Sequence, residues 1–220
     1  MSEAAGLERL LERSGVPAGG PEADLLRRYL GLLRKWNARI NLTARGEWDS
    51  LEPLVREGVW SAGLYPPGER SHLDIGSGAG FPALILRIFN PGMRLEMVES
   101  RGKKAAFLET AAWELGFGEV RVHAERLEPF LGRSAADKRW DLVSWKAIRL
   151  SGAELAALRL HAGEDARFWM FHGASPAGDP EALRDHFRLE QRRAVPGTKG
   201  AWLSIYGDSH HRPQNENGQR

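Results

Sequence analysis

The segment DIGSGAGFP, Asp74 to Pro82, sets Gly76, Gly78 and Gly80 at alternate positions directly behind a short apolar run. Glycine lacks the Cβ that keeps a ligand off the backbone, so such a loop lets N–H groups approach a phosphate, a nucleoside or an amino-acid carboxylate. Asp74 adds an anion suited to a ligand with a cationic ammonium. Glu99, closing the next strand-like run, can accept hydrogen bonds from a ribose diol. A nicotinamide dinucleotide loop has the spacing G-x-G-x-x-G, which G-S-G-A-G matches poorly. The loop alone leaves its ligand open.

The elements around these residues narrow the choice. From Ser71 onward, short strand-like runs alternate with helical ones: SHLDIG, then FPALILRIF as a helix, RLEMVES, RGKKAAFLETAAWELG as a helix, VRVHAE and WDLVSWKA. A helix near 151–160, the strand ARFWMFHG and a helix near 179–186 follow. The last two runs, RLEQRRAV and AWLSIYG, are separated only by PGTKG and read as an antiparallel hairpin. Alternation of this kind predicts an α/β fold with a mostly parallel, doubly wound sheet of Rossmann-like type. Open sheets of this kind bind ligands at the carboxyl ends of their strands, beside the topological switch point, where Gly76 to Gly80 would lie. S-adenosylmethionine carries both an ammonium and a ribose diol, so Asp74, the glycine loop and Glu99 together point to it and to a class I methyltransferase.

The N-terminal part is helical. Leu25, Leu26, Tyr29, Leu32, Leu33 and Trp36 recur at helical spacing with arginines and lysines between them, predicting an amphipathic helix from 22 that stops near Asn37. Helices are expected at about 7–13 and 49–62, and YPPGER, Tyr65 to Arg70, ends the region. The expected division is a helical subdomain over 1–66, a methyltransferase domain over 67–207 and a disordered tail over 208–220.

The chain of 220 residues has no cysteine, which excludes disulfides, thiolate zinc sites and cysteine nucleophiles. No apolar run reaches the roughly 18–20 residues of a membrane span, and the acidic N-terminus does not read as a signal peptide. A cytoplasmic protein without a membrane partner is expected. With a net charge of only +2, a nucleic-acid partner would require local basic patches. Three clusters qualify: Arg34, Lys35, Arg39 and Arg45; Arg101, Lys103 and Lys104; and Arg192, Arg193 and Lys199. His210 and His211 have too few acids near them to suggest a metal site, and no metal is expected. Trp36, Trp113, Trp169 and Trp202 lie within apolar patterns and are expected to be buried.

The segments DIGSGAGFP, VESRGKKAAFL and AERLEPF, together with LLRKWNARINLT in the second helix, resemble the glucose-inhibited division protein B family, whose members are small-subunit ribosomal RNA guanine-N7 methyltransferases. The resemblance covers residues 22–207, and the W-N-x-x-x-N-L-T signature from Trp36 to Thr43 is its most specific part. It implies S-adenosylmethionine as cofactor and the small-subunit ribosomal RNA or the 30S subunit as partner, with the chain acting as a monomer. It further implies that Gly76, Gly78 and Phe81 line the methionine and ribose side of the cofactor, that Glu99 holds the ribose, and that Leu127 and Glu128 flank the adenine.

The chain departs from the family pattern at three places. Where the family usually reads S-R-A at the end of strand four, this chain has Trp145, Lys146 and Ala147. Lysine is a point charge where arginine is a planar fork, so Lys146 alters any cofactor or RNA contact made there. His172 stands where the family usually has lysine, and VREGVWSA keeps Arg56 and Ser61 but substitutes Glu57 and Trp60. Guanine N7 already carries an exposed lone pair, so no general acid or base is expected. Lys146 and His172 are candidates for orienting the guanine or its phosphate, and Trp145 for stacking on a base. A methyltransferase acting on another substrate, or a noncatalytic relative that binds S-adenosylmethionine or RNA, are the alternative readings.

Overall fold

The computed structural model describes residues 3–43, 47–174 and 180–208. Arg45, His210, His211 and all but the first residue of the expected tail lie outside them. Three helices, α1 (Glu3–Arg13), α2 (Pro21–Asn37) and α3 (Trp48–Ala62), precede the sheet. Proline in the first turn of α2, Glu22 and Asp24 at its positive end and Arg34 and Lys35 at its negative end all favour that helix where it stands.

The remaining elements are β1 (Arg70–Ile75), α4 (Ala83–Phe89), β2 (Met93–Val98), α5 (Gly102–Glu114), β3 (Val120–His123), α6 (Leu127–Arg133), β4 (Trp140–Lys146), α7 (Gly152–Leu160), β5 (Ala162–His172), α8 (Pro180–His186), β6 (Phe187–Ala194) and β7 (Trp202–Asp208). They build a seven-stranded sheet in the order β3-β2-β1-β4-β5-β7-β6. Pairing is parallel from β3 through β5, while β7 runs antiparallel to both β5 and β6. The expected hairpin and doubly wound topology are therefore both present. Two features were not anticipated: α6, which contains Pro129 and Gly132, and the early start of β5, where a register irregularity follows the Trp140–Ala162 pair.

Strand residues alternate between two cores, as the pleat requires. Leu95, Met97, Leu142, Trp169 and Phe171 pack with α1 to α5 on one face. Leu73, Ile75, Val143, Trp145, Phe168 and Met170 pack with α6 to α8 on the other. This alternation corrects two expectations. Trp145 is 2% exposed and turned into the second core, so it offers no plane to a base. Trp113 is 79% exposed, because Phe107, Leu108, Ala111, Ala112 and Leu115 already occupy the inward stripe of α5 and position 113 falls outside it. Trp169 is buried as expected, and Trp36 and Trp202 are partly so.

The sheet order places β1 between β2 and β4, so the chain reverses its direction of travel at the carboxyl end of β1. That is the switch point, and the glycine loop leaves from it.

Candidate functional site

The loop after β1 is fixed by its own backbone. Gly76 N–H donates to the Val98 carbonyl at 2.8 Å and Gly80 N–H to that of Ser77 at 2.7 Å. Gly80, at φ +88°, has no room for a side chain, since a Cβ there would lie 2.6 Å from Leu84 Cδ1. Gly78, at φ +57°, is different: a Cβ would find nothing nearer than the Gly76 carbonyl at 3.7 Å and Lys104 Nζ at 3.9 Å. The first of these glycines is required by helix packing, whereas at the half-exposed second a Cβ would make only ordinary contacts, which leaves the space outside the loop within a ligand's reach.

Two carboxylates frame that space. Glu99, 6% exposed, accepts from Gly78 N–H and from Arg101 N–H, both at 2.8 Å, one on each oxygen. Each oxygen keeps a free lone pair, so a ribose diol has acceptors left to meet. Asp74, 2% exposed, accepts from the Ser144 hydroxyl, which itself lies 2.7 Å from His72 Nε2. Burial raises the Asp74 carboxyl to about 6, with the Ser144 and Ser77 hydroxyls pulling it down and Glu99 and Lys146 acting in opposite directions. A buried carboxylate poised this way is suited to a cationic partner.

Lys146, at the end of β4, carries a cation to the same strand ends and forms an ion pair with Glu57 of α3, whose side chain is 4% exposed. Burial raises the Glu57 carboxyl, and Lys146 partly offsets this. Two of the departures from the family pattern are thus in contact with each other. After Lys146 the chain turns sharply through Ala147 at φ +53°, bringing Ile148 against Gly76.

Beside Gly76 opens a cleft of about 370 Å³ with a mixed lining, Val98, Leu127, Ile148 and Leu150 on the apolar side and Glu125 and Arg126 on the polar side. Leu127 therefore joins the glycine loop. Glu128 does not: it is exposed and lines a separate groove with Leu131, Gly132 and Ser151. Phe81 is 8% exposed and packs edge-on against Tyr29, with ring centroids 5.4 Å apart. His172 is 5% exposed and spends both ring nitrogens internally, Nδ1 on the Gly173 carbonyl at 2.7 Å and Nε2 on Ser204 Oγ at 2.9 Å. Burial is the largest cause of its lowered pKa, and it stays neutral.

The N-terminal helices clasp the loop through contacts that the sequence reading does not contain. Tyr29 of α2 donates its buried hydroxyl to the Ala79 carbonyl at 2.6 Å. A tyrosine on a core stripe must satisfy its hydroxyl, and that requirement was the available signal. The W-N-x-x-x-N-L-T segment acquires a structural reason. Asn37 Oδ1 accepts from Leu42 N–H at 2.9 Å and Thr43 N–H at 3.0 Å, which folds the chain back after α2. Trp36 packs edge-on against Phe107 of α5 at 5.8 Å, and Lys104 Nζ reaches the Leu42 carbonyl at 3.5 Å. Among the described residues no group of three or more metal-binding side chains occurs.

Comparison with solved structures identifies the fold. The mitomycin 7-O-methyltransferase MmcR matches with a TM-score of 0.58 at 13% identity, covering 74% of this chain and 56% of that one. The ribosomal protein L11 methylase of Lactobacillus delbrueckii subsp. bulgaricus matches with a TM-score of 0.56 at 14% identity, covering 72% and 79%. This is the class I methyltransferase fold, shared by proteins with different substrates. Sequence comparison is more specific. The ribosomal RNA small subunit methyltransferase G of Neisseria gonorrhoeae is 34% identical over 200 residues, 86% of this chain and 92% of that protein. The protein of the same name from Paracoccus denitrificans is 30% identical over 192 residues, 86% and 97%. The family model described as rRNA small subunit methyltransferase G matches residues 22–201, and the chain belongs to this GidB family.

Proposed function

We propose that this protein transfers a methyl group from S-adenosylmethionine to N7 of a guanine in small-subunit ribosomal RNA. The observation that carries the reading is the convergence of Asp74, Gly78, Glu99 and Lys146 at the carboxyl ends of β1, β2 and β4, in a chain of this family. The residues present fit the cofactor. Asp74 is an anion for its ammonium, Glu99 retains acceptors for its ribose, and the cleft by Gly76 and Leu127, with its apolar side chains, takes its adenine. Gly80 and Phe81 fix the loop from behind, and Glu128, which lines a separate groove, makes no contact with the cofactor. When bound, the cofactor supplies an electrophilic methyl group on a sulfonium.

The protein's own contribution is positioning. Guanine N7 needs no proton removed, so in-line placement and exclusion of water supply the catalysis. Lys146 keeps N–H donors beyond the one given to Glu57 and would orient the guanine or its phosphate. His172, neutral and internally bonded, would act by fixing the end of β5 beside Lys146. Residues 1–66 form a helical subdomain that holds the glycine loop, ahead of a methyltransferase domain over 67–207. Lys35 and Lys104 supply cationic surface for RNA phosphates on either side of that junction. The protein works as a monomer in the cytoplasm, and no helix among the described residues is long and apolar enough to cross a membrane.

The test is transfer of labelled methyl to small subunits from cells lacking the protein. Label should enter RNA, and RNA affinity should fall with salt. Lys35→Glu should reduce the salt slope by about 1 or 2 with cofactor binding retained, and Lys104→Glu should reduce it by a similar amount. Label confined to protein or to a small metabolite would refute the assignment.

A further inference from the structure

Resting on the cofactor reading above, the geometry points to Ser144 and His72 as positioning residues for Asp74: His72 Nε2–H orients the Ser144 hydroxyl, which in turn holds the Asp74 carboxylate towards the cationic end of the cofactor. The directions of these bonds follow from proton counting. Asp74 Oδ1 accepts, so Ser144 Oγ is the donor in that bond. Ser144 then has only lone pairs to offer His72, so His72 must carry its proton on Nε2. His72 Nδ1 is thereby left unprotonated, and it is a buried atom without a partner.

All three side chains are at most 2% exposed, and burial lowers His72 to about 3, so it is neutral between pH 5 and 8 and donates from one fixed tautomer. Tyr65 stacks on the imidazole, centroids 5.7 Å apart and planes at 23°, which holds the ring in place. Such a chain has no packing rationale. A polar pair in parallel strands covered on both faces costs desolvation, and the orphaned Nδ1 adds to that cost. What it yields is a donor fixed on the carboxylate assigned to the cofactor's ammonium.

The consequence is selectivity for charge. The groups acting on Asp74 are the Ser144 and Ser77 hydroxyls and Lys146, which favour the carboxylate, and Glu99, which opposes it, with neutral His72 behind Ser144. Asp74 titrates at about 6, so affinity for a ligand bearing an ammonium should rise as pH increases through that value. A nucleoside without the amino-acid moiety, such as methylthioadenosine, should show no such dependence.

Calorimetric titration of the full chain with S-adenosylmethionine and with methylthioadenosine between pH 5 and 8 tests this. In Ser144→Ala the midpoint for S-adenosylmethionine should move up by about one pH unit or more, the value of a charged hydrogen bond. Its affinity at pH 6.5 should fall by about threefold or more, while methylthioadenosine affinity stays within about twofold. His72→Phe keeps the stack on Tyr65 and removes the orphaned nitrogen. It should fold at least as stably and move the midpoint in the same direction by less, so it carries the test if Ser144→Ala does not fold. Equal weakening of both nucleosides, or an unmoved midpoint, would overturn the inference and leave the cofactor reading intact. Absence of S-adenosylmethionine binding by the folded wild type would overturn both.

Discussion

Glu57, buried on α3, forms an ion pair with Lys146 at the end of β4 and so ties the N-terminal helices to the strand ends that form the site. The two residues stand at positions that the sequence sets apart from the family pattern, and they are in contact with each other. Removing only the cation strands a buried carboxylate, which costs about 3–5 kcal/mol. Lys146→Met should therefore be strongly destabilised at pH 7. A carboxyl whose folded pKa lies above its unfolded value binds more protons folded than unfolded, so the variant should lose stability as pH rises from about 4.5. Glu57→Gln/Lys146→Met should recover most of the loss. Urea denaturation of the three variants at pH 5 and pH 8 measures this, and a pH-independent Lys146→Met would contradict the pairing.

Tyr29→Phe removes the hydroxyl that meets the Ala79 carbonyl inside the glycine loop. The loss leaves a buried acceptor and should cost about 1–3 kcal/mol. Because the loop itself is loosened, cofactor affinity should fall severalfold along with stability. Calorimetry on the folded variant would show this, and unchanged affinity would reduce Tyr29 to a packing residue.

Gly80 and Gly78 should respond differently to alanine. Both have positive φ, so each substitution carries roughly 1 kcal/mol or more of backbone strain. Only at Gly80 does the new Cβ also meet Leu84. Gly80→Ala should lose clearly more stability than Gly78→Ala, whereas Gly78→Arg should abolish cofactor binding by placing a long cationic side chain on the loop. Chemical denaturation with parallel binding titrations separates the two effects.

Glu96, outside the site, sets an acid limit. Burial pushes its carboxyl up, but hydrogen bonds from His123, Lys138 and Trp140 outweigh that and hold it at about 2. Its contribution is present above the unfolded pKa and is lost as pH falls from about 4.5 towards 2. Glu96→Gln should cost about 2 kcal/mol at pH 7 and less at pH 3. Equal costs at both pH values would show that the carboxylate's charge contributes nothing.

The sheet, its switch point and the glycine loop were legible because period-two and period-3.6 patterns alternate cleanly from Ser71 onward. The short helix α6 was not, since LEPFLGR contains proline and glycine and spans too few turns to display a period. Asp74 and Glu99 were legible from their places at strand ends. His72 and Ser144 were not, because their partnership exists only once β1 and β4 lie side by side, and nothing local marks it. Lys146 and Glu57 could each be singled out, but their contact required α3 to pack beside the strand ends. Trp145 was a candidate for stacking beside Lys146, yet adjacent residues on a strand face opposite ways.

The most direct measurement is the position of the methyl group on RNA modified by the purified protein. N7-methylguanine makes the chain cleavable after reduction and aniline treatment, so the product can be located by primer extension. One such cleavage site is expected in small-subunit ribosomal RNA, present with wild type and lost with Gly78→Arg. Label incorporated at a ribose, at another base atom or in ribosomal protein, with no aniline-sensitive site, would contradict it.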